Sequence, residues 1–257
     1  MWRKTTVLAV ALAGVSCHAA SAADFTYQPW DQLLQQRVKA GRVDYQGLRA
    51  DQAALDQWLA TLSTVDLAQF GSDRQRHMAF WINAYNACVV RGVLDHYPLA
   101  SVRDVKGFFD KITYRVAGQT LALNHIEAKA RAFGDWRIHF AVVCASTSCP
   151  PIRAEAYVPE RLDAQLSEQV RQFLRNQQQG LRLEGATLWA SKIFDWYAGD
   201  FAFGQGGLFH KTTPAQLLAV LRPYLETVTA DAWTGQAQSL RFFDYDWSLN
   251  QQAPPTP

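Results

Sequence analysis

Phe80-Trp81-Ile82-Asn83-Ala84-Tyr85-Asn86-Ala87-Cys88-Val89-Val90 is apolar on nearly every side of a helix. A helix without a polar face has to be buried. The stretch therefore predicts a core helix over 73–96, closed by Pro98. Two amides interrupt it. Asn83 and Asn86 lie three apart and share a face. A buried amide without partners costs about 1–3 kcal/mol. The pair is expected either to hold neighbouring backbone or, with Trp81 and Tyr85, to bind substrate. Cys88 reads as core.

Outward from this helix, apolar residues at helical spacing predict helices over 30–38, 51–62, 162–174, 191–201 and 213–221. Asn124 is expected to cap a helix through 133, with Glu127 at the third position. Strand signals are fewer. Residues 112–116 and 120–123 flank Gly118-Gln119 as a hairpin, 181–190 turn at Glu184-Gly185, and 239–243 read as a last strand. The fold class is α+β: a single, mainly helical domain over 24–250 with a small antiparallel or mixed sheet. Gly204 to Gly207 read as a flexible loop, and 251–257, with three prolines, as a disordered tail.

A second stretch carries the candidate chemistry. Arg137-Ile138-His139-Phe140-Ala141-Val142-Val143-Cys144 reads as a buried strand that runs into Ala145-Ser146-Thr147-Ser148-Cys149-Pro150-Pro151. On a strand, His139 and Cys144 point to opposite faces. Ser148 and Cys149 lie beyond, where the chain can fold back. A His139–Cys149 or His139–Ser148 pair would suit nucleophilic catalysis, with the imidazole accepting the proton. The competing readings are a core histidine and a Cys144–Cys149 disulfide, which needs Cα atoms closer than about 7 Å.

Trp2-Arg3-Lys4, an apolar run over 6–15 and Ala20-Ser21-Ala22 predict a signal peptide over 1–23. The protein is then exported, periplasmic or secreted, without a transmembrane span after cleavage. Lipidation at Cys17 is the weaker alternative, because Leu is missing three residues upstream. Arg3 and Lys4 would leave with the leader, so 25 basic residues become 23 against 23 acidic ones. No basic stripe remains for nucleic acid. Cys-x-x-Cys, His-Glu-x-x-His, phosphate-loop and dinucleotide motifs are missing, so no metal or cofactor is expected.

The Trp81-Ile82-Asn83-Ala84-Tyr85-Asn86 helix, Ile126-Glu127, His139-Phe140-Ala141, Ser148-Cys149-Pro150 and Tyr245-Asp246-Trp247 together resemble the uncharacterised domain of unknown function five-four-seven family, over roughly 43–250. The resemblance implies that Trp81, Asn83, Tyr85, Asn86, Glu127, His139, Ser148 and Pro150 occupy motif positions. Plant relatives have Ser at the position of Cys149, which favours Cys144–Cys149 as a local staple over an obligatory Cys149 nucleophile. The family often has His after the Glu. Ala128 stands there, so His125 inherits no role. A helix followed by a His-bearing strand also looks loosely like papain- or transglutaminase-like enzymes, although Asn83 stands near the place of their cysteine.

Two functions follow as expectations. One is a hydrolase or acyl transferase for peptide-like or small amide substrates, with His139, Glu127, Ser148 and Cys149 as catalytic candidates. The other is a non-catalytic peptide- or envelope-binding module that uses the same cleft.

Overall fold

The computed structural model describes residues 25–201 and 212–253. The expected leader, Cys17, the loop from Gly204 to Gly207 and the end of the tail lie outside them. The fold is α+β, and helices dominate.

The first part is helical. α1 (Gln28–Arg37) leads through the short hairpin β1 (Val38–Lys39) and β2 (Arg42–Val43) into α2 (Tyr45–Ala50) and α3 (Ala53–Thr64). α4 (Arg74–His96) follows, and every residue from Met78 to Val90 is buried. Asp73 caps it, its carboxylate accepting from the amides of Gln75 and Arg76 at 3.0 Å. Gly92 weakens a helix interior by about 1 kcal/mol relative to Ala. The position excludes a side chain, because Phe108 and the Tyr114 hydroxyl lie where its β-carbon would be.

The hairpin β3 (Thr113–Val116) and β4 (Gln119–Ala122) forms as its turn signals predict. It runs directly into α5 (Leu123–Arg131), which packs along α4. This corrects the expected cap. Ala122 is the N-cap and has no side-chain bond. Asn124 is already inside the helix, its amide donating to Phe109 O at 2.9 Å. Glu127 is thereby free for another role.

The stretch 137–144 is not a strand. Trp136–Phe140 is a 3-10 helix, started by the Asp135 carboxylate accepting from the amide of Arg137 at 3.1 Å. Buried irregular chain follows, and its polar backbone needs partners. Amide side chains supply them. Asn86 donates to Ala141 O and accepts from Val143 N, both at 2.9 Å. Asn83 donates to Tyr157 O at 2.7 Å and accepts from Tyr157 N at 3.1 Å.

α6 (Leu162–Leu174) adds two more clamps from the other side. Gln165 accepts from Val158 N at 2.9 Å and donates to Ala156 O at 2.8 Å. Gln169 donates to Phe140 O and Pro151 O at 3.1 and 2.8 Å. Side chains of two helices thus do for this segment what a neighbouring strand would.

β5 (Leu181–Glu184) and β6 (Thr187–Ala190) form the expected hairpin, turning at Gly185 with φ +57°. Gly tolerates that left-handed conformation without a Cβ clash. α7 (Ile193–Trp196) stops five residues short of the predicted 201. α8 (Pro214–Leu221) has its expected Thr213 cap. α9 (Thr227–Gln236) was not expected from periodicity. β7 (Ser239–Phe242) joins β6 in parallel, completing a mixed three-stranded sheet.

Two apolar clusters result. One centres on α4. The other lies between α6, the mixed sheet and α8. Phe140 belongs to the second, while its neighbours Ile138 and Ala141 belong to the first. The His139 segment therefore sits at the seam. The C-terminal segment is tied to it: Thr147 N donates to Ser248 O and Asn250 N to Ala145 O, at 2.8 and 3.0 Å. Order continues past the predicted boundary, since Gln252 N donates to Val43 O at 2.9 Å. Among the described residues, no helix is long and apolar enough to cross a membrane.

Candidate active site

The seam opens onto a cavity of about 330 Å³, lined among others by Tyr85, Glu127, His139, Cys144, Cys149 and Tyr197. Clefts of about 640 and 900 Å³ lie elsewhere on the surface, and neither is lined by a cysteine or histidine.

His139 has a carboxylate partner that the sequence did not reveal. Its Nε2 lies 2.8 Å from Asp200 Oδ2. Arg131, in the last turn of α5, holds Asp200 with Nε at 2.7 Å and Nη2 at 3.0 Å. This fork keeps the Asp200 carboxyl below its ordinary range, with the His139 bond adding to the effect. The Tyr197 ring covers the imidazole at 4.0 Å between centroids.

Burial lowers the His139 pKa to about 4, against the opposing pull of Asp200. The ring is neutral at neutral pH. A carboxylate can only accept, so Nε2 carries the proton and Nδ1 keeps its lone pair.

That shift makes a stability prediction. An unfolded histidine titrates near 6.5. Between that value and about 4 the unfolded chain binds the extra proton. The stabilising contribution is complete above pH 6.5 and is lost as pH falls towards 4, by on the order of 3 kcal/mol. Glu127, whose pKa burial raises, works in the opposite direction over its own range. Urea midpoints measured from pH 7 to pH 4 should fall more steeply in the natural protein than in His139→Gln. Parallel curves would remove His139 as the source.

Glu127 projects from α5, and the nearby Tyr197 hydroxyl favours its ionised form. Burial pushes the Glu127 carboxyl up, while Tyr197 and Arg131 oppose the shift. The carboxylate, the tyrosine and the covered imidazole form one continuous wall.

The same cavity is lined by two cysteines. Cys144 and Cys149 are both free thiols, so the expected disulfide is not formed in this structure. Ala145, between Cys144 and Ser146, is left-handed at φ +62°. Such a conformation is costly for a residue with a Cβ. It turns the chain so that Cys144 Sγ lies 3.1 Å from Ser146 Oγ and 3.4 Å from Tyr245 Oη.

The Cys149 thiol, Ser146 and Tyr245 together lower the Cys144 pKa against burial. Cys149 moves the other way, raised by burial and by its bond to Cys144. Its sulfur accepts from Cys144 N at 3.1 Å.

The remaining candidates separate from the cavity. Ser148 Oγ accepts from Asp246 N at 2.9 Å and holds the C-terminal segment. Asn83 and Asn86 are backbone clamps. Trp81 is buried in the core with Lys129 Nζ 5.2 Å from its ring centroid. Of the expected binding residues, only Tyr85 lines the cavity.

Sequence reasoning did not single out Arg131, Tyr197 or Asp200, and it assigned Cys144 only to a disulfide. The Tyr245-Asp246-Trp247 motif was the one available signal for Tyr245.

No curated protein and no solved structure matches the chain, so nothing extends the papain- or transglutaminase-like analogy. Over residues 70–174, which hold α4, α5, the His139 turn and α6, the chain matches the family described as Protein of unknown function, DUF547.

Proposed function

We propose that this protein is an exported thiol hydrolase or acyl transferase acting on peptide-like or small amide substrates, with Cys144 as nucleophile. The observation that carries this reading is a thiol acidified by three neighbours, on the same cavity as a neutral histidine backed by a carboxylate. Perturbed groups that converge on one cavity are a signature of catalytic sites.

In this mechanism the Cys144 thiol gives its proton to His139, and the imidazolium is stabilised by Asp200. The thiolate sulfur bonds to the substrate carbonyl carbon. The carbon–nitrogen bond breaks, and the amine leaves with the proton from the imidazolium. Water or a second nucleophile then cleaves the thioester, and its proton returns to Cys144 sulfur. Export rests on the leader-like segment over 1–23 and is checked by sequencing the N-terminus of the protein isolated from cells.

A panel of chromogenic amides and esters tests the reaction. Turnover should be found, and should fall at least about 10³-fold in His139→Gln with the fold intact. One observation favours the binding-module reading: His139 is only 3% exposed and lies under Tyr197. Under that reading no panel member is turned over, and His139→Gln changes stability alone.

A further inference from the structure

The cavity has an unusual lining. Tyr85, Phe109, Trp196, Tyr197, Tyr245 and Trp247 supply aromatic surface. Among the described residues, Glu127 is its only carboxylate, and no lysine or arginine lines it. Trp196 is 47% exposed, the one large apolar side chain so exposed among the described residues. It is nonetheless built into a cluster, with its ring 4.7 Å from Tyr245 and 5.9 Å from Trp247. Tyr245 and Trp247 lie 4.8 Å apart.

Aromatic faces carry negative potential and attract cations. Two of these rings already do so. The Arg103 guanidinium lies 5.4 Å from the Trp247 ring centroid and that of Arg131 5.1 Å from Tyr197. Neither arginine lines the cavity.

The charge pattern separates ligand classes. An anion would meet the Glu127 carboxylate and no positive lining residue. An uncharged apolar ligand would complete the burial of Glu127 and offer it no counter-charge, which is costly for a carboxylate. A bulky cation would meet ring faces and find a counter-ion.

We propose that the cavity selects ligands bearing an alkylated ammonium group, held against the Trp196, Tyr245 and Trp247 rings with Glu127 as counter-ion. This deepens the reading above by naming a substrate class. It rests on the same cavity being the substrate site.

Calorimetric titration of the full chain tests it, with choline as probe. The control is choline's uncharged isostere, in which a tert-butyl group replaces trimethylammonium. Cys144→Ala protein is used so that binding is read without turnover. Choline should bind at least about tenfold more tightly than the isostere, the size of a cation–π and counter-ion preference. Glu127→Gln should bring the two affinities close together. Trp196→Leu keeps apolar bulk at an exposed position, and should weaken choline several-fold while leaving the isostere nearly unchanged.

Equal affinities, a preference for the isostere, or no choline binding at millimolar concentration would overturn the inference. Cation preference without turnover by the natural protein would retain it while the acyl-transfer reading fell. Turnover of amides without cation preference would do the reverse.

Discussion

Iodoacetamide is expected to alkylate Cys144 in the folded, reduced protein and to leave Cys88 and Cys149 unlabelled. Only the thiolate reacts, so rate follows both thiol acidity and access. Cys88 is fully buried in α4, and burial alone pushes its thiol up. Cys149 is 7% exposed, and the same effect, with its bond to Cys144, keeps it protonated. Cys144 differs on both counts. It is only half-buried, it lines the cavity, and neighbouring donors stabilise its thiolate.

The pH dependence of labelling should therefore have its midpoint below the ordinary cysteine value of about 8.5. Tyr245→Phe removes a donor at 3.4 Å and should move the midpoint up. Cys144→Ala should abolish labelling of the native protein and lower any amide or ester turnover by on the order of 10³-fold or more. Peptide mass mapping reads the outcome directly. Label on Cys149 ahead of Cys144, or a Cys144 midpoint at the ordinary value, would sink the assignment of the nucleophile.

That assignment differs from the one the sequence suggests, for a local reason. A period of two along a regular strand sends His139 and Cys144 to opposite faces. The segment has no such period, because Trp136–Phe140 is a 3-10 helix and Ala145 is left-handed. The composition of 137–144 is that of a buried strand, and composition alone does not distinguish a strand from irregular chain clamped by amides.

The clamps themselves were half legible. Two polar residues on an apolar helix had to bond to something, and Asn83 and Asn86 do hold backbone. What they hold lies more than fifty residues away, at Tyr157 and at Ala141 and Val143. Distance in the chain also hid the Asp200 partner, 61 residues from His139, and Tyr245, 101 from Cys144. By contrast, α4 and the β3–β4 and β5–β6 hairpins depend on local spacing and turn residues, and these were readable. Asp200 and Tyr245 also lie outside the 70–174 span of the family match.

Asn86→Ala should be among the most destabilising single changes in the molecule, and it should also disturb the site. The carboxamide makes two bonds of 2.9 Å to backbone that is otherwise sealed in the core. Ala141 is 1% exposed and Val143 3%, so water cannot replace the lost partner without opening the seam. Each orphaned backbone group costs about 1–3 kcal/mol. Together they imply a loss of roughly 2–6 kcal/mol, a large share of the 5–15 kcal/mol typical of a folded domain.

Asn86→Asp separates the two bonds. A carboxylate still accepts from Val143 N but faces Ala141 O with an acceptor, so the variant should also be destabilised. Asn83→Ala provides the spatial control. It orphans Tyr157 on the other side of α4's contacts, and should cost a comparable amount while leaving Cys144 labelling unchanged. Asn86→Ala frees the residue next to Cys144 and should alter both the rate and the midpoint of that labelling. Urea unfolding gives the first comparison and alkylation the second. If Asn86→Ala unfolds within about 1 kcal/mol of the natural protein, the amide is not supporting this segment, since a net loss that small is no more than one ordinary hydrogen bond. If both variants lose stability but only Asn86→Ala changes Cys144, the clamp on Ala141 and Val143 is what holds the thiol in its reactive position.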